Sequence, residues 1–229
     1  MINTTVIILT KNEIESIEFT IDELVKNNFN NILVVDAGST DGTLELVTQK
    51  KIKFITQKNR GYGAAILEGI EYIQTKYVSI IDADGSYNGN DIPKMLALLE
   101  NENLDFVLGS RYLNNNKSDD DTFIRAMGNK IFTWILRFFF NVSITDALFH
   151  FPVCKTEAYK KLKLNFKDFS ICPELPIKIK EMGFEFKEFL SLERPRIGGS
   201  SKVNAFSDGL KISYSLLKLF FLIKIFKKQ

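Results

Sequence analysis

The sequence predicts an α/β fold with a mostly parallel sheet flanked by helices. In its first half, short apolar runs rich in β-branched residues, such as residues 6–9 and 32–35, alternate with stretches of helical periodicity. Such runs are typical of strands buried on both faces, and residues 13–27 between them carry apolar side chains at helical spacing. The alternation of strands and helices indicates parallel pairing through right-handed crossovers.

The remaining elements of the first half continue this alternation. The segment GSTDG at residues 38–42 is typical of a turn that leads into a helix, with Ser39, Thr40 or Asp41 as the candidate N-cap. After this turn we expect strands at residues 53–56, 77–81 and 105–109, a helix at 63–73, and another helix from about Ile92 with Pro93 in its first turn.

The second half has a different pattern, with polar loops between unusually apolar helices. A long apolar helix with several lysines ends the sequence, which predicts one domain over residues 1–202 and an amphipathic helical extension over 203–229. We expect a polar loop at 114–121, an apolar helix at 123–140, extended structure at 145–155, a strand at 184–190, a glycine- and serine-rich loop at 194–202 and the final helix at 206–228.

Charge and composition exclude several classes of protein. The 30 Lys and Arg residues nearly balance the 28 Asp and Glu residues, so no nucleic-acid partner is indicated. The two cysteines, Cys154 and Cys172, have neither a disulfide framework nor a metal-type spacing, which favours reduced thiols in a cytosolic setting. No run of about 18 apolar residues predicts a transmembrane helix, and no signal-peptide pattern precedes the first strand. We therefore expect a cytoplasmic protein.

Two acidic side chains, Asp82 and Asp84, directly follow the apolar run of residues 77–81. In open α/β sheets, ligands bind at the carboxyl ends of the strands. Two carboxylates this close repel each other, and a hard divalent cation, Mg²⁺ or Mn²⁺, removes that cost and carries a phosphate-bearing substrate. The alternative is a solvated turn, and the pattern favours the cation site.

Six short motifs follow one another along the chain. They are VIILTKNE at 6–13, VVDAGSTDGT at 34–43, NRGYGAA at 59–65, DAD at 82–84, FVLGSR at 106–111 and GGSSK at 198–202. Together they resemble the family 2 glycosyltransferases, and the last two are similar to the polyprenyl-phosphate branch, such as the dolichyl-phosphate mannose synthases. The resemblance spans residues 5–202. It implies a GT-A fold that transfers a sugar, with inversion, from a nucleotide-diphosphate sugar to a polyprenyl phosphate at the cytoplasmic face of the membrane.

By this resemblance, the nucleotide sugar is bound by residues that follow the first strands and by the loop near residue 200. Alternatives stay open at several positions: a helix N-cap for Asp36, a first-turn acid favoured by the helix dipole for Glu13, and a plain turn for the glycines at 61 and 63. These glycines lack the third glycine of a dinucleotide fingerprint. The implied nucleotide-binding residues are Thr10, Asn12, Glu13, Asp36, Gly38, Ser39, Gly61, Gly63, Asp82, Arg196 and Ser201.

The resemblance also implies a metal site and catalytic residues. Asp84 would be the main metal ligand, Asp82 would hold the metal or the ribose, and Ser86 stands where relatives often carry a glutamine. Arginine offers a planar fork suited to phosphate oxygens, and a cationic loop can close over a diphosphate. The residues implied to act on phosphate or acceptor are Arg111, Arg125 and Asp146, with Arg196, Ser201 and Lys202 in the loop.

Two of these residues have open alternatives. Asp146 is either a general base for a hydroxyl acceptor or a positioning group, because a phosphate acceptor is already ionised. Arg125 lies in an apolar helix, where snorkelling to water is the alternative to phosphate binding. His150, the sole histidine, is expected to be a packed core residue.

Departures from the family pattern keep rival functions open. Ala37 stands where most relatives have a second acid, and residues 148–151 replace a Cys-Gly-Phe segment. The rivals are a glycosyltransferase with a hydroxyl acceptor in surface polysaccharide synthesis, and an inactive scaffold that binds a nucleotide sugar.

The apolar stretches 134–140 and 216–226 allow two compatible interpretations. They pack on each other and on the sheet, or they lie in the plane of a membrane surface with lysines facing anionic headgroups.

Overall fold

The computed structural model describes residues 3–116, 118, 122–199 and 204–224. Within these residues, strands and helices alternate along the first half of the chain, as the periodicity predicts. The elements are β1 (Thr4–Thr10), α1 (Ile17–Lys26), β2 (Asn31–Asp36), α2 (Thr43–Gln49), β3 (Lys53–Thr56), α3 (Tyr62–Glu71), β4 (Tyr77–Asp82), α4 (Ile92–Asn101), β5 (Phe106–Ser110), α5 (Phe123–Phe140), β6 (Pro152–Lys155), α6 (Thr156–Lys161), α7 (Ile171–Glu181), β7 (Phe186–Leu190) and α8 (Ala205–Lys224).

The described strands form one seven-stranded sheet in the order β3-β2-β1-β4-β6-β5-β7. The pairs β1–β2, β1–β4, β2–β3 and β5–β7 are parallel, whereas β6 runs antiparallel to both β4 and β5. The predicted α/β fold with a mostly parallel, helix-flanked sheet is therefore confirmed. Because β1, β2, β4 and β5 run in one direction, their carboxyl ends lie at the same edge of the sheet.

The structure differs from the expected elements in three places. Extended structure was expected over residues 145–155, but only Pro152–Lys155 pairs as a strand. Helices α6 and α7 were not expected. Pro173 lies in the first turn of α7, where proline is tolerated, but Pro176 lies inside the helix, where proline normally breaks it, so the two residues hide the helical pattern. The N-cap of α2 is Gly42, in the left-handed region at φ +99°, one residue after Asp41, the last of the candidate caps.

Helices α5, α7 and α8 pack together beside the sheet. Buried side chains from the three helices, among them Leu136, Ile177 and Leu216, share one apolar cluster. Burial of each such side chain contributes about 2 kcal/mol, so α8 is held on α5 and α7 by packing. For residues 134–140 and 216–223, the expectation that the two apolar stretches pack on each other is confirmed. The division into a domain and an extension at residue 202 stays a prediction. Among the helices described, none is both long and apolar enough to cross a bilayer.

Candidate functional site

Polar residues end four strands of the sheet at one edge. Thr10, Asp36, Asp82 and Ser110 are the last residues of β1, β2, β4 and β5. Ligands bind at this edge in open α/β sheets. The fold therefore brings the first, second, fourth and fifth sequence motifs to a common site.

Asp82 has an unsatisfied carboxylate oxygen. Its Oδ1 is buried and has no hydrogen-bond partner among the described residues. Burial raises the pKa of Asp82 well above its ordinary range, the neighbouring Asp84 raises it further, and a hydrogen bond with Tyr62 lowers it. Burying an unpaired carboxylate costs free energy. A ligand that brings positive charge to this oxygen would offset that cost.

Asp84 is held in place by Ser86. The backbone N–H and the hydroxyl of Ser86 both donate to Asp84 Oδ1, at 3.0 and 2.7 Å. Ser86 is buried, and its hydroxyl is used to orient Asp84. The structure thus gives Ser86 a supporting contact to the acid, and its direct metal ligation stays a prediction.

Arg196 places a cation between two acids of the site. Its Nη2 lies 3.0 Å from Glu13 Oε1 and 3.3 Å from Asp84 Oδ2. The residues around it are tied to the turn after β4, since Ile197 N–H donates to the Asp84 carbonyl at 3.0 Å. Gly85 makes this approach possible, because a Cβ there would lie 2.5 Å from Ile197 Cδ1. The predicted loop over the site is therefore observed for residues 194–199, whereas Ser201 and Lys202 lie outside the described residues.

The turn after β2 is built around Asp36. The carboxylate of this fully buried residue accepts from the backbone N–H groups of Gly38 and Ser39 at 2.9 and 3.0 Å, and from the Ser39 hydroxyl. Its side chain shapes this turn and does not cap α2. Recognition of the base by Asp36 stays a prediction.

The Asn-Glu turn after β1 is cross-linked to the turn after β2. Asn12 N–H donates to Ser39 Oγ at 2.8 Å, and Glu13 N–H donates to Thr43 Oγ1 at 3.0 Å. Thr10 is buried, and its hydroxyl has no hydrogen-bond partner among the described residues. Two motifs 27 residues apart in the chain therefore form one surface at the sheet edge.

Gly61 and Gly63 have a packing role. A Cβ on Gly61 would lie 2.1 Å from the Lys167 carbonyl oxygen, and one on Gly63 would lie 2.3 Å from that of Phe166. The close backbone approach that the glycines permit is thus to the chain's own segment 166–168. Nucleotide binding by either glycine stays a prediction.

Arg111 and Asp146 form a buried ion pair. Arg111 Nε lies 2.7 Å from Asp146 Oδ2 and Nη2 lies 3.0 Å from Oδ1, while Nη1 lies 3.1 Å from Glu193 Oε2. Both Asp146 oxygens are therefore engaged by the guanidinium, and Arg111 is shared between two acids. Arg125 lies in the first turn of α5, which directly follows the N-cap Thr122. Its binding of phosphate stays a prediction.

The loop that carries Asp146 is held by residues that the sequence analysis did not identify. Glu188 accepts from the backbone N–H of Thr145 at 2.8 Å and from its hydroxyl at 2.9 Å. Asn129 Oδ1 accepts from the backbone N–H groups of Ala147 and Leu148 at 3.1 and 3.0 Å. Burial raises the pKa of Glu188, and the hydrogen bonds from Thr145 oppose that shift. No motif marks Glu188 or Asn129, and only the fold brings them to the loop.

His150 is a core residue, as expected. It is 1% exposed, and its Nε2 lies 3.2 Å from the Tyr159 hydroxyl. Burial lowers its pKa from 6.5 to about 3, so the imidazole is neutral near pH 7.

Cys154 and Cys172 are free buried thiols.

Known proteins share both the sequence pattern and the fold. The chain matches the family described as Glycosyl transferase family 2 over residues 5–163. It is 31% identical over 202 residues to glycosyltransferase AglJ of Haloferax volcanii, with 87% of this chain and 66% of that protein covered. The chain thus spans just under two thirds of that relative. It is 25% identical to a UDP-N-acetylglucosamine–dolichyl-phosphate N-acetylglucosaminyltransferase of Methanococcus voltae, with 76% of this chain and 79% of that protein covered.

Solved structures with the same fold include a glucosyl-3-phosphoglycerate synthase of Mycobacterium tuberculosis, in complex with Mn²⁺, UDP-glucose and phosphoglyceric acid. The TM-score is 0.75 at 15% identity, with 95% of this chain and 79% of that chain covered. This likeness supports the GT-A fold. The family match over residues 5–163 and the 31% identity to AglJ show that the chain belongs to glycosyltransferase family 2.

Proposed function

We propose that the protein transfers a sugar, with inversion, from a nucleotide-diphosphate sugar to a polyprenyl phosphate, and that the transfer depends on Mg²⁺ or Mn²⁺. The observation that carries the donor half is the acid pair Asp82 and Asp84 at the end of β4, with one buried, unpartnered oxygen. A structure with this fold holds Mn²⁺ together with UDP-glucose. A relative is named for transfer to dolichyl phosphate.

The donor set of this chain fits a divalent cation that binds together with a diphosphate. The described residues contain no cluster of three or more histidine, cysteine or acidic side chains that would hold a metal alone. Mg²⁺ is usually bound through one or two carboxylates plus substrate phosphates. Asp84, oriented by Ser86, and the free oxygen of Asp82 are such carboxylates. The bound cation would neutralise charge on the departing diphosphate.

The chain's own residues would position the donor and the acceptor. Glu13 and Asp36 hold the turns that border the donor site, and Arg196 lies against Asp84, where a diphosphate would find a positive neighbour. Lys202 and Ser201 of the same loop, and Arg125, complete the proposed phosphate contacts. Arg111 supports the acceptor side through its pair with Asp146.

A phosphate acceptor agrees with the state of Asp146. Both of its oxygens accept hydrogen bonds from Arg111, which suits a positioning role better than proton abstraction. A phosphate oxygen is already ionised and needs no base. A hydroxyl acceptor, as in surface polysaccharide synthesis, would require Asp146 to leave this pair or another base to act. An inactive scaffold that binds a nucleotide sugar would keep the acid pair but would release no nucleoside diphosphate with any acceptor.

A polyprenyl phosphate lies in a membrane, so the enzyme would work at the cytoplasmic membrane surface. Several large apolar side chains of α5 and α8 are exposed, including Trp134 at 57%, Phe138 at 69% and Tyr214 at 72%. The exposed basic residue Lys218 lies among those of α8 and suits anionic headgroups. Residues 203–229 would form the surface-binding extension of the domain over residues 1–202.

A donor screen tests the function directly. Nucleoside-diphosphate release from a set of nucleotide sugars is followed with Mg²⁺ or Mn²⁺, with and without undecaprenyl or dolichyl phosphate. We expect release that requires the lipid phosphate and falls about 100-fold in Asp84→Asn. Asp22→Asn, which removes an exposed partner of Lys50, serves as the control and should retain activity. Unchanged transfer by Asp84→Asn at saturating metal would reject the proposal.

A further inference from the structure

A cleft of about 640 Å³ lies between α5 and the segment that follows β5. Its volume is within the range of about 300–1,000 Å³ that is typical of small-molecule sites. Tyr112 and Thr145 both line it, and they are the chain neighbours of Arg111 and Asp146. The cleft therefore opens beside the buried ion pair, near the sheet edge where the donor site lies.

Two basic side chains, Lys130 and Arg137, line this cleft. Lys130 and Arg137 lie seven residues apart on α5, which is about two helical turns, so their long side chains reach the same space. Both side chains are exposed, and neither has an ion pair within the described part of the chain. Arg111, in contrast, is already shared by Asp146 and Glu193.

The rest of the cleft lining divides into a polar part and an aromatic part. Asn115, Asn116 and Thr145 contribute polar groups, whereas Phe123 and Trp134 contribute aromatic rings that are 81% and 57% exposed. A cationic cleft with exposed aromatic rings at its edge matches an amphiphilic anion. Such a ligand has a phosphate at one end and an apolar chain at the other.

We propose that this cleft binds the isoprenyl phosphate acceptor, with its phosphate on Lys130 and Arg137 and the first part of its chain against Trp134 and Phe123. The inference rests on the proposed function and assigns acceptor recognition to residues outside all six sequence motifs. In this assignment Arg111 does not contact the phosphate, and its ion pair with Asp146 holds the neighbouring cleft residues Tyr112 and Thr145 in place. The phosphate would thus be recognised by cations that form no ion pair with an acid among residues 3–116, 118, 122–199 and 204–224.

The single tryptophan of the chain makes the test specific, because Trp134 lies in the cleft and is the only source of tryptophan fluorescence. A ten-carbon isoprenyl phosphate is titrated without detergent, beside the matching alcohol and inorganic phosphate. We expect a saturable fluorescence change with the isoprenyl phosphate. The matching alcohol and inorganic phosphate should each bind at least about tenfold more weakly than the isoprenyl phosphate. Lys130→Ala and Arg137→Ala should each weaken binding of the isoprenyl phosphate about tenfold. Each should raise the KM for this acceptor by the same factor and leave the affinity for the donor unchanged. Lys130→Arg should retain binding, and Lys180→Ala, at an exposed lysine in the last turn of α7, should equal the wild type.

The outcomes separate this inference from the proposed function. If wild-type enzyme transfers sugar to the isoprenyl phosphate with a KM that neither alanine variant changes, the cleft assignment is overturned and the function stands. If the variants weaken binding but no nucleotide sugar is consumed, the function fails and the assignment stands. Equal affinity for inorganic phosphate and the isoprenyl phosphate would overturn the assignment to an amphiphile.

Discussion

Two hydrogen bonds join the side chains of Arg111 and Asp146, with Nε to Oδ2 at 2.7 Å and Nη2 to Oδ1 at 3.0 Å. The backbone N–H of Arg111 also donates to Asp146 Oδ2 at 3.2 Å. Arg111 directly follows β5, whereas Asp146 belongs to the loop that Glu188 and Asn129 hold. This pair therefore fixes the Asp146 loop to the carboxyl edge of the sheet.

Asp146→Asn should lower the free energy of unfolding by roughly 3 kcal/mol, because it leaves the buried guanidinium without its main counter-charge. Urea unfolding followed by circular dichroism measures this change. Asp105→Asn is the matched control, since the Lys155–Asp105 pair is 32% and 23% exposed and should contribute less than about 1 kcal/mol. Equal losses in the two variants would contradict a special role for the buried pair.

The same Asp146→Asn variant distinguishes the two acceptor classes at a temperature where it stays folded. With a phosphate acceptor, a substantial part of the turnover should remain, because no proton has to be removed. With a hydroxyl acceptor, turnover should be abolished. The measurement is nucleoside-diphosphate release with each acceptor, normalised to the folded fraction.

Arg196→Gln should tighten the binding of Mn²⁺ alone by about three- to tenfold, because the guanidinium lies 3.3 Å from Asp84 Oδ2 and opposes a second cation there. Titration calorimetry without nucleotide measures the dissociation constant. Arg194→Gln is the control from the same segment, since Arg194 pairs with Glu23. Weaker or unchanged Mn²⁺ binding in Arg196→Gln, relative to that control, would show that Arg196 does not compete at Asp84.

Local patterns predicted the first half of the fold and the edge at which its motifs meet. Strands β1, β2 and β4 are buried on both faces, so each is a short apolar run that ends in a polar residue, as β4 ends in Asp82. The contacts that support Asp146 follow no such rule. Glu188 reaches Thr145 across 43 residues, and Glu193 reaches Arg111 across 82, so only the completed sheet brings them together.

The residues of the sequence motifs also make contacts that the motifs themselves do not indicate. Arg111 is predicted to bind phosphate, and in the fold it also contacts Asp146 and Glu193, which are distant in the chain. Gly61 and Gly63 are predicted to lie against the nucleotide or to form a plain turn, and segment 166–168 packs against them. A motif indicates that a residue type is needed, and the fold decides what it contacts.

Gly85→Ala should destabilise the protein by more than about 1 kcal/mol. Gly85 has φ +78°, and a Cβ would lie 2.5 Å from Ile197 Cδ1, so backbone strain adds to a steric contact. Gly128→Ala is the opposite case, since a Cβ there meets nothing within 4 Å and glycine inside a helix is less stable than alanine by about 0.5–1 kcal/mol. Urea unfolding should show opposite signs for the two variants. A stabilising effect of Gly85→Ala would rule out the contact between Ile197 and the turn after β4.

His150 should make the stability of the fold depend on pH below about 6.5. Burial lowers its pKa from 6.5 to about 3, so the neutral imidazole stabilises the fold above 6.5, and this contribution is lost as the pH falls towards 3. In that window the unfolded chain binds one more proton, which costs about 1.4 kcal/mol per pH unit. Between pH 7 and pH 5 the wild type should therefore lose about 2 kcal/mol more than His150→Gln, which has no titrating ring. Urea unfolding of both proteins at pH 7, 6 and 5 measures the difference, and parallel curves for the two would show that His150 titrates alike in the folded and unfolded chains.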